Sequence, residues 1–221
     1  GGQFQDPLRE GADLMTGSSH KTFPGPQGGF LLSSSEDETF HRRLNNAMFP
    51  GVCSSYHLHH VAGKVMALAE FMEYGEAYAT DIVSNARAFA GALAAEGFDV
   101  LAESRGYTAS HQVLTRHGEL DSGAGAKAAQ RLEEAGIITN MNMLPGDTKA
   151  MTPSGLRLGV QELTRVGFSN DDMEEVASFY ARVLLHGEDP AAVRADVHAL
   201  KQQRQTIRYC FNEDERSGYP E

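Results

Sequence analysis

Lys21 is the residue of this sequence whose surroundings best suit covalent chemistry. It follows Ser18, Ser19 and His20 and precedes a loop rich in proline and glycine at 24–29. A lysine amine can form a Schiff base when a stiff backbone holds it and partial desolvation lowers its pKa. The small residues before it would admit a ring or a phosphate, and their hydroxyls could donate to it. The alternative is an exposed lysine in an ordinary Pro/Gly turn.

Apolar runs on both sides of this lysine predict the elements that would hold it. An apolar-to-small run over 12–19 ends in hydroxyls, and Phe30-Leu31-Leu32 follows the glycines. This pattern favours a strand, a tight loop and a second strand. Polar residues 36–48 then predict a short helix or a loop, closed by a turn at Phe49-Pro50-Gly51.

Two apolar series at helical spacing follow that turn. The first is Leu58, Val61, Val65, Leu68 and Met72, and the second is Ile82, Ala86, Phe89 and Leu93. Steps of three and four residues predict two amphipathic helices, each with one apolar face. Gly75 lies between the two series, so we expect a hinge between domains there. Gly97 is placed to end the second helix.

The second half of the chain alternates short strands with helices. Strands are predicted at 98–101, 110–114 and 156–160, and a helix at 122–135 with Ser122 as its N-cap. Two further helices are predicted, one on Met173, Val176, Tyr180 and Val183 with Ser169 or Asn170 as cap, and one on Val193, Val197, Leu200 and Ile207. This alternation favours an α/β or α+β fold.

Composition indicates a globular chain and disfavours several function classes. The 221 residues are 41% hydrophobic, enough to bury a core. A formal net charge of -11 disfavours binding to nucleic acid or to an anionic membrane surface. We find neither a signal peptide nor an apolar run of about 20 residues that could span a membrane.

The two cysteines indicate neither a disulfide framework nor a thiolate zinc site. Cys53 and Cys210 lie far apart and outside any CxxC spacing, so a reducing cytoplasm is expected. Cys53 is expected to be a buried thiol. The chain opens on Gly1 without a methionine, which we interpret as a fragment or a processed chain.

The sequence resembles the serine hydroxymethyltransferase family over most of its length, to about Arg182. Residues 16–29 are similar to the family's cofactor-lysine motif, T-T-T-T-H-K-T-x-x-G-P-R-G-G. Pro50-Gly51 precedes a histidine-rich helix start, and Asn140-Met141-Asn142 is followed by Pro145 and Asp147. Residues 154–159, S-G-L-R-L-G, resemble the family's S-G-I-R-x-G. Together these matches cover about the C-terminal half of a family member.

The resemblance implies a fold-type I PLP-dependent transferase, with an aspartate aminotransferase-like α/β architecture. Residues 1–75 would end the large domain that binds pyridoxal 5′-phosphate (PLP), 76–210 would form the small C-terminal domain, and 211–221 an acidic polar tail. The activity implied is cleavage or formation of the Cα–Cβ bond that interconverts glycine and a β-hydroxy amino acid such as serine.

The resemblance also implies roles for individual residues. Catalytic roles would belong to Lys21, His20 and Ser18, with Lys21 holding PLP. Cofactor binding would involve Lys21, Ser18, Ser19, His20 and Gly51, the last at the phosphate of a neighbouring subunit. Arg157 would bind the substrate α-carboxylate, and Asn142 the pterin of tetrahydrofolate. Without the resemblance, Arg157 could be a surface or ion-paired arginine, and Asn140 and Asn142 could be turn residues.

Departures from the family pattern favour its archaeal-type or threonine-transaldolase-like branches. Phe23-Pro24, Gln27, the loop 50–55 and Gly159-Val160-Gln161-Glu162 all differ from the usual motifs. A folate-independent threonine aldolase or transaldolase is therefore the alternative activity. His57, His59 and His60 lack a nearby carboxylate or cysteine, so no metal is expected.

No residue of the family's N-terminal half, including the aspartate that pairs with the pyridinium nitrogen, maps onto this chain. The isolated chain should therefore be poorly active, and activity would require an N-terminal half or a partner chain. A cytoplasmic homodimer is expected. The alternative of another class is a non-catalytic half that assembles with a partner.

Overall fold

A computed structural model describes residues 1–212 of the chain. The predicted tail falls outside the described residues from 213 onward. The chain divides into two compact units, one of residues Gly2–Glu76 and one from Ala77 onward that also includes Gly1. The assignment of these parts to a large and a small domain stays a prediction.

Six strands and six α-helices make up the two units. The strands are β1 (Met15–His20), β2 (Pro24–Leu32), β3 (Asp99–Val100), β4 (Gln112–Arg116), β5 (Asn140–Asn142) and β6 (Gly155–Gly159). The helices are α1 (Glu38–Asn46), α2 (Leu58–Ala95), α3 (Ala124–Glu134), α4 (Gln161–Arg165), α5 (Met173–Leu184) and α6 (Pro190–Gln202). These counts refer to residues 1–212.

Strands β1 and β2 form an antiparallel hairpin, so the two predicted strands are confirmed, whereas the tight loop predicted over 24–29 is wrong. Met15 pairs with Leu32 at one end and His20 with Pro24 at the other, with an irregularity between Ser18 and His20. The proline- and glycine-rich residues lie inside β2 rather than in a loop. Among residues 1–212, β2 pairs with β1 alone, and prolines are tolerated at the start of a strand and on edge strands.

Helix α1 and an irregular turn follow the hairpin. The Asp37 carboxylate caps the helix by accepting from the backbone N–H of Thr39 at 2.8 Å. The predicted turn lies at Ala47–Val52, with a cis peptide bond between Phe49 and Pro50.

Helix α2 is one continuous helix of 38 residues, so the interruption predicted at Gly75 is wrong. Gly75 is buried within it, and a Cβ there would lie 2.9 Å from the Phe71 ring. The glycine thus makes room for a neighbouring ring. Gly97 has a φ of +101° and follows the helix end, as predicted.

The second unit is built on an antiparallel sheet with the strand order β3-β4-β6-β5. Helix α3 packs on β5 and β6 and also contacts α5 and α6. Side chains from α2, the sheet and these helices fill the core, including Phe89, Leu93, Val113, Leu132, Leu156 and Met173. The mixed α/β class predicted from the sequence is confirmed.

Three local predictions need correction. The N-cap of α3 is Gly123, with a φ of +70°, rather than Ser122, whose hydroxyl accepts from the amide of Ala124, the first residue of the helix. Ile207 lies beyond the end of α6 at Gln202. Ser169 does form a capping box with Asp172, but at the short 3₁₀ turn that precedes α5.

Candidate active site

Lys21 lies in the three-residue connection between β1 and β2, which is where the sequence predicted it. Its side chain is exposed, and within residues 1–212 its amine makes no hydrogen bond or ion pair. A paired antiparallel hairpin fixes the backbone on both sides of the lysine. The amine is therefore held on a defined support and is free to react.

The three residues before Lys21 have different environments. The Ser19 hydroxyl is buried and donates to Pro26 O at 2.7 Å, which ties the two strands together. Ser18 is half-buried opposite Gly29, and no hydrogen bond of its hydroxyl is found among the described residues. His20 is exposed, with Nδ1 3.2 Å from Gly28 O and 3.3 Å from Gly28 N. The Ser19 hydroxyl is thus used within the fold, whereas the Ser18 hydroxyl, three residues before Lys21, is not.

A second amine approaches the hairpin from α2. Lys64 Nζ donates to Gly29 O at 3.5 Å. Gly28 lies beside this nitrogen and has a φ of +148°, a backbone conformation that favours glycine. The one sequence signal for Lys64 is its position between the apolar residues Val61 and Val65.

Gly51 lies in a different segment of the first unit from Lys21 and Lys64. It belongs to the irregular turn after α1, where a Cβ would lie 3.0 Å from Asn46 O. No hydrogen bond joins it to Lys21 in residues 1–212. Its predicted role at a cofactor phosphate stays a prediction.

Arg157 lies at the middle of β6, in the second unit. Its register partners are Leu114 on β4 and Asn140 on β5, and residues directly opposite each other share one face of a sheet. The side chain is exposed, and among the described residues its guanidinium makes no hydrogen bond or ion pair. The ion-paired alternative is therefore not observed, and two donors remain available for a carboxylate.

The two asparagines form strand β5 rather than a turn. Asn140 lies directly opposite Arg157, whereas Asn142 lies opposite Gly155 and donates from Nδ2 to Met143 O at 2.6 Å. Asn140 is therefore the asparagine that the register brings to Arg157. The predicted role of Asn142 in folate binding stays a prediction.

His111, which was not predicted as a site residue, directly precedes β4, the strand paired with that of Arg157. It is half-buried, and its carbonyl accepts from Val160 N at 3.4 Å. Burial lowers the pKa of His111, and the positive charge of Arg157 lowers it further. No signal besides its place at the start of a predicted strand could have indicated this.

Asp147 holds the connection between β5 and β6. It is buried, and its carboxylate accepts from the amides of Leu144, Ser154 and Asp121 and from the Ser154 hydroxyl, at 2.7 to 3.0 Å. Burial alone would raise the pKa of Asp147, but these hydrogen bonds together outweigh it and hold the pKa well below its usual range. The connection that ends three residues before Arg157 is thus fixed by one carboxylate.

Comparison with known proteins assigns the family. The family model for serine hydroxymethyltransferase matches residues 1–180. This chain belongs to the serine hydroxymethyltransferase family. The matched residues include the hairpin with Lys21 and the strand with Arg157, and the resemblance given by the sequence motifs is confirmed.

Curated relatives from archaea show the same family membership. The chain is 57% identical over 216 residues to a serine hydroxymethyltransferase of Pyrococcus abyssi, with 96% of this chain and 50% of the relative covered. It is 47% identical over 221 residues to that of Thermoplasma acidophilum, with 99% and 51% covered. The archaeal branch predicted from the motif departures is thus supported. The chain spans about half the length of the curated relatives it matches.

A solved structure confirms the fold. The chain is similar to an L-threonine transaldolase from Pseudomonas fluorescens, crystallised in its internal aldimine state, with a TM-score of 0.87 and 32% identity. The match covers 98% of this chain and 49% of that one. The predicted fold-type I architecture of PLP-dependent transferases is therefore confirmed for this part of a serine hydroxymethyltransferase fold.

The structure also describes the histidine cluster, the two cysteines and the length and polarity of the helices. The rings of His57, His59 and His60 lie 4.5 to 5.4 Å apart, and no group of three or more potential metal ligands occurs within the described residues. Cys53 is exposed, so its expected burial is wrong, and Cys210 is half-buried. No helix among residues 1–212 is long and apolar enough to cross a membrane.

Proposed function

We propose that this chain is the lysine-bearing half of a PLP-dependent enzyme that interconverts glycine and serine. The observation that carries the proposal is the exposed Lys21 side chain on the β1–β2 hairpin, directly after the strand that carries Ser18 and His20. Family membership supports it, because the match covers both the hairpin and the strand of Arg157. As the chain spans half of its relatives, the activity is proposed for the complete assembly.

The residues present fit PLP. Lys21 would hold the aldehyde carbon covalently, and the Ser18 hydroxyl and the His20 ring would contact the cofactor or the reacting amine. When bound, PLP supplies an electron sink that stabilises the carbanion left when the Cα–Cβ bond breaks.

Arg157 would bind the α-carboxylate of the amino acid. Its guanidinium is exposed, lacks a partner among the described residues and can present two parallel N–H donors to a carboxylate. Holding the carboxylate fixes the orientation of Cα, and correct orientation of the breaking bond can contribute several kcal/mol to catalysis. Asp147 fixes the loop that leads into the strand of Arg157 and so acts as a positioning residue.

The complete enzyme would need the half that this chain does not span, either in one polypeptide or as a partner chain. We further propose a cytoplasmic homodimer in one-carbon metabolism, with Gly51 near the cofactor phosphate of the neighbouring subunit. Tetrahydrofolate would be the co-substrate, and Asn142 would contact its pterin.

A second candidate is a threonine aldolase or transaldolase that does not use folate. The solved structure of an L-threonine transaldolase, at 32% identity, is the observation that favours it. Both candidates use the same lysine and arginine, and they differ in the acceptor of the transferred carbon unit.

An absorbance spectrum with PLP, before and after borohydride, tests the cofactor proposal. The chain, assembled with the other half if it does not hold PLP alone, should show the visible band of lysine-bound PLP, and borohydride should fix the label on Lys21. Lys21→Ala should lose the band, whereas Lys64→Met, which removes the second amine near the hairpin, should keep it. A band that survives Lys21→Ala would overturn the proposal.

Substrate assays then separate the two candidates. Serine turnover that requires tetrahydrofolate supports the hydroxymethyltransferase. Acetaldehyde release from threonine without any effect of folate supports the aldolase or transaldolase instead.

A further inference from the structure

The second unit contains a cavity of about 610 Å³ that lies outside the residues assigned to the proposed chemistry. Helices α4, α5 and α6 and the end of β6 form its wall, together with residues that follow α3 and α4. All of these elements belong to one compact unit. Pockets that bind small molecules in proteins measure about 300–1,000 Å³. The cavity is therefore large enough for a ligand.

Apolar side chains make up most of the wall, and the chain itself buries them. They include Val166, Phe168, Val176, Phe179 and Leu200, none of which is more than 9% exposed. The cavity is thus a recess within the packing of this unit rather than an outward face of a helix. Such a lining favours an apolar ligand, because the burial of apolar surface is favourable.

Tyr180 on α5 adds one polar group to this wall. The residue is 6% exposed, and its ring packs edge-to-face on Phe89 with 5.5 Å between the ring centroids. Its hydroxyl makes no hydrogen bond within residues 1–212, although buried hydroxyl groups usually have a partner. Burial raises the pKa of Tyr180, so the hydroxyl keeps its proton and can donate a hydrogen bond to a ligand oxygen.

The charged side chains around the cavity balance each other. Lys201 and Arg204 line it together with Glu162. Asp172 neutralises Arg204, with its Oδ1 2.6 Å from Nη2, so one cation and one carboxylate remain. His198 also lines the cavity, and its side chain is exposed. An ion would lose its hydration against the apolar wall without a surplus of opposite charge, so the cavity favours an uncharged ligand.

We propose that this cavity binds an uncharged, apolar small molecule that carries one hydrogen-bond acceptor oxygen, such as a ketone. The apolar body lies against the apolar wall, and the oxygen accepts from the Tyr180 hydroxyl. The inference goes beyond the proposed function, since neither Lys21 nor Arg157 lines the cavity. Gly159, the last residue of β6, does line it, so the site adjoins the end of the strand that carries Arg157.

Three probes of similar shape test the proposal. Benzylacetone carries a phenyl ring and one ketone oxygen, butylbenzene lacks the oxygen, and phenylbutyrate carries a carboxylate. Isothermal titration calorimetry measures each probe with the full chain, first alone and then assembled with the other half of the family fold. Benzylacetone should bind at a single site in both cases. Phenylbutyrate should bind more weakly, since burial of its carboxylate is costly.

Tyr180→Phe isolates the hydrogen bond. The variant should bind benzylacetone about three- to tenfold more weakly, because the ketone loses its donor, and should bind butylbenzene as the unchanged chain does. Tyr107→Phe is the matched control, because it removes a hydroxyl from a tyrosine of the same unit that does not line the cavity. It should bind both probes like the unchanged chain. Thermal unfolding should show Tyr180→Phe to be as stable as the unchanged chain, since the hydroxyl has no partner among the described residues.

Val197→Phe places the probes in the cavity. Val197 is half-buried on α6 and lines the wall, so a larger ring there should take up part of the volume and weaken the binding of both benzylacetone and butylbenzene. Unchanged binding by this variant would put the probes elsewhere and overturn the proposal.

Four other results also overturn the proposal. Benzylacetone fails to bind, or Tyr180→Phe binds it as tightly as the unchanged chain does, or Tyr107→Phe weakens it equally. Tighter binding of phenylbutyrate than of benzylacetone would show that the site selects an anion. Loss of benzylacetone binding on assembly would show that the other half covers the cavity.

Discussion

Asp121 and Asp147 lie in two different loops, and the carboxylate of each accepts hydrogen bonds from the backbone of the other loop. The Asp121 amide donates to Asp147 Oδ1 at 2.7 Å, while the Asp121 carboxylate accepts from the amides of Thr148 and Lys149, both at 2.8 Å. The Thr148 hydroxyl also donates to Asp121 Oδ2 at 2.7 Å. The loop between β4 and α3 and the connection between β5 and β6 are thereby locked. These hydrogen bonds hold the connection between β5 and β6, the strands proposed to carry Asn142 and Arg157.

Asp147→Asn should destabilise the chain, because an amide presents one acceptor oxygen where the carboxylate presents two. At least one of the amides of Leu144, Ser154 and Asp121 would lose its bond or face an N–H group. We expect the midpoint of thermal unfolding to fall by about 5 °C or more. Glu119→Gln, an exposed change nearby, should leave the midpoint unchanged, and equal effects of the two would contradict the assignment.

The lowered pKa of Asp147 gives a pH prediction with a defined sign. A carboxyl group whose folded pKa lies below its ordinary value of 3.8 stabilises the fold above that value. The stabilisation is lost as the pH falls below it. Asp147→Asn should therefore flatten the acid limb of the stability curve below pH 3.8, as measured by urea unfolding, whereas Glu119→Gln should leave that limb unchanged.

Gly125→Ala should disrupt the packing of α3 on β6. A Cβ there would collide with Gly155 O and lie 2.8 Å from Gly155 N, and these backbone atoms cannot move without distorting the strand. We expect a loss of about 1–3 kcal/mol in the free energy of unfolding. Gly91→Ala is the matched control on α2, since nothing lies within 4 Å of its Cβ position, and it should be neutral or slightly stabilising. Chemical denaturation of both variants compares them.

Hydrophobic spacing predicted the existence of most elements but not what covers them. The series that begins at Leu58 does form one helical face, yet spacing cannot say which part of a fold would bury it. The break in the helix expected at Gly75 is absent for a related reason, although the two compact units do divide at Glu76 and Ala77. One glycine costs a helix only about 1 kcal/mol, and packing along the flanking segments exceeds that.

The candidate site was predictable where its residues are contiguous in sequence. Lys21 and Arg157 each lie in a short motif whose neighbours identify it. The Asp121 carboxylate and the Thr148 amide are 27 residues apart, and the interaction of His111 with Arg157 exists only after two strands have paired. Such contacts leave no local pattern, so only the structure shows them.

His117 should make the chain less stable in mild acid. Burial lowers its pKa from 6.5 to about 4, and Asp99 opposes the shift only weakly. Between these two values the unfolded chain binds a proton that the folded chain does not, so stability falls as the pH drops from 6.5 to about 4 and then levels off. His117→Gln should remove this slope, which urea unfolding across that range would measure. An unchanged slope would show that His117 is accessible to protons in the folded state.

His111 should report on the charge of Arg157. Burial is the larger cause of its lowered pKa and the arginine the smaller, so Arg157→Met should raise the pKa of His111 while leaving it below 6.5. Arg157→Lys keeps the charge and should change it little. Titration of the His111 ring signals by NMR measures both variants. Glycine at high concentration should also raise the pKa of His111 in the unchanged chain by placing a carboxylate against Arg157, and should have no such effect in Arg157→Met. A pKa of His111 that ignores both the substitution and glycine would remove the carboxylate site from Arg157.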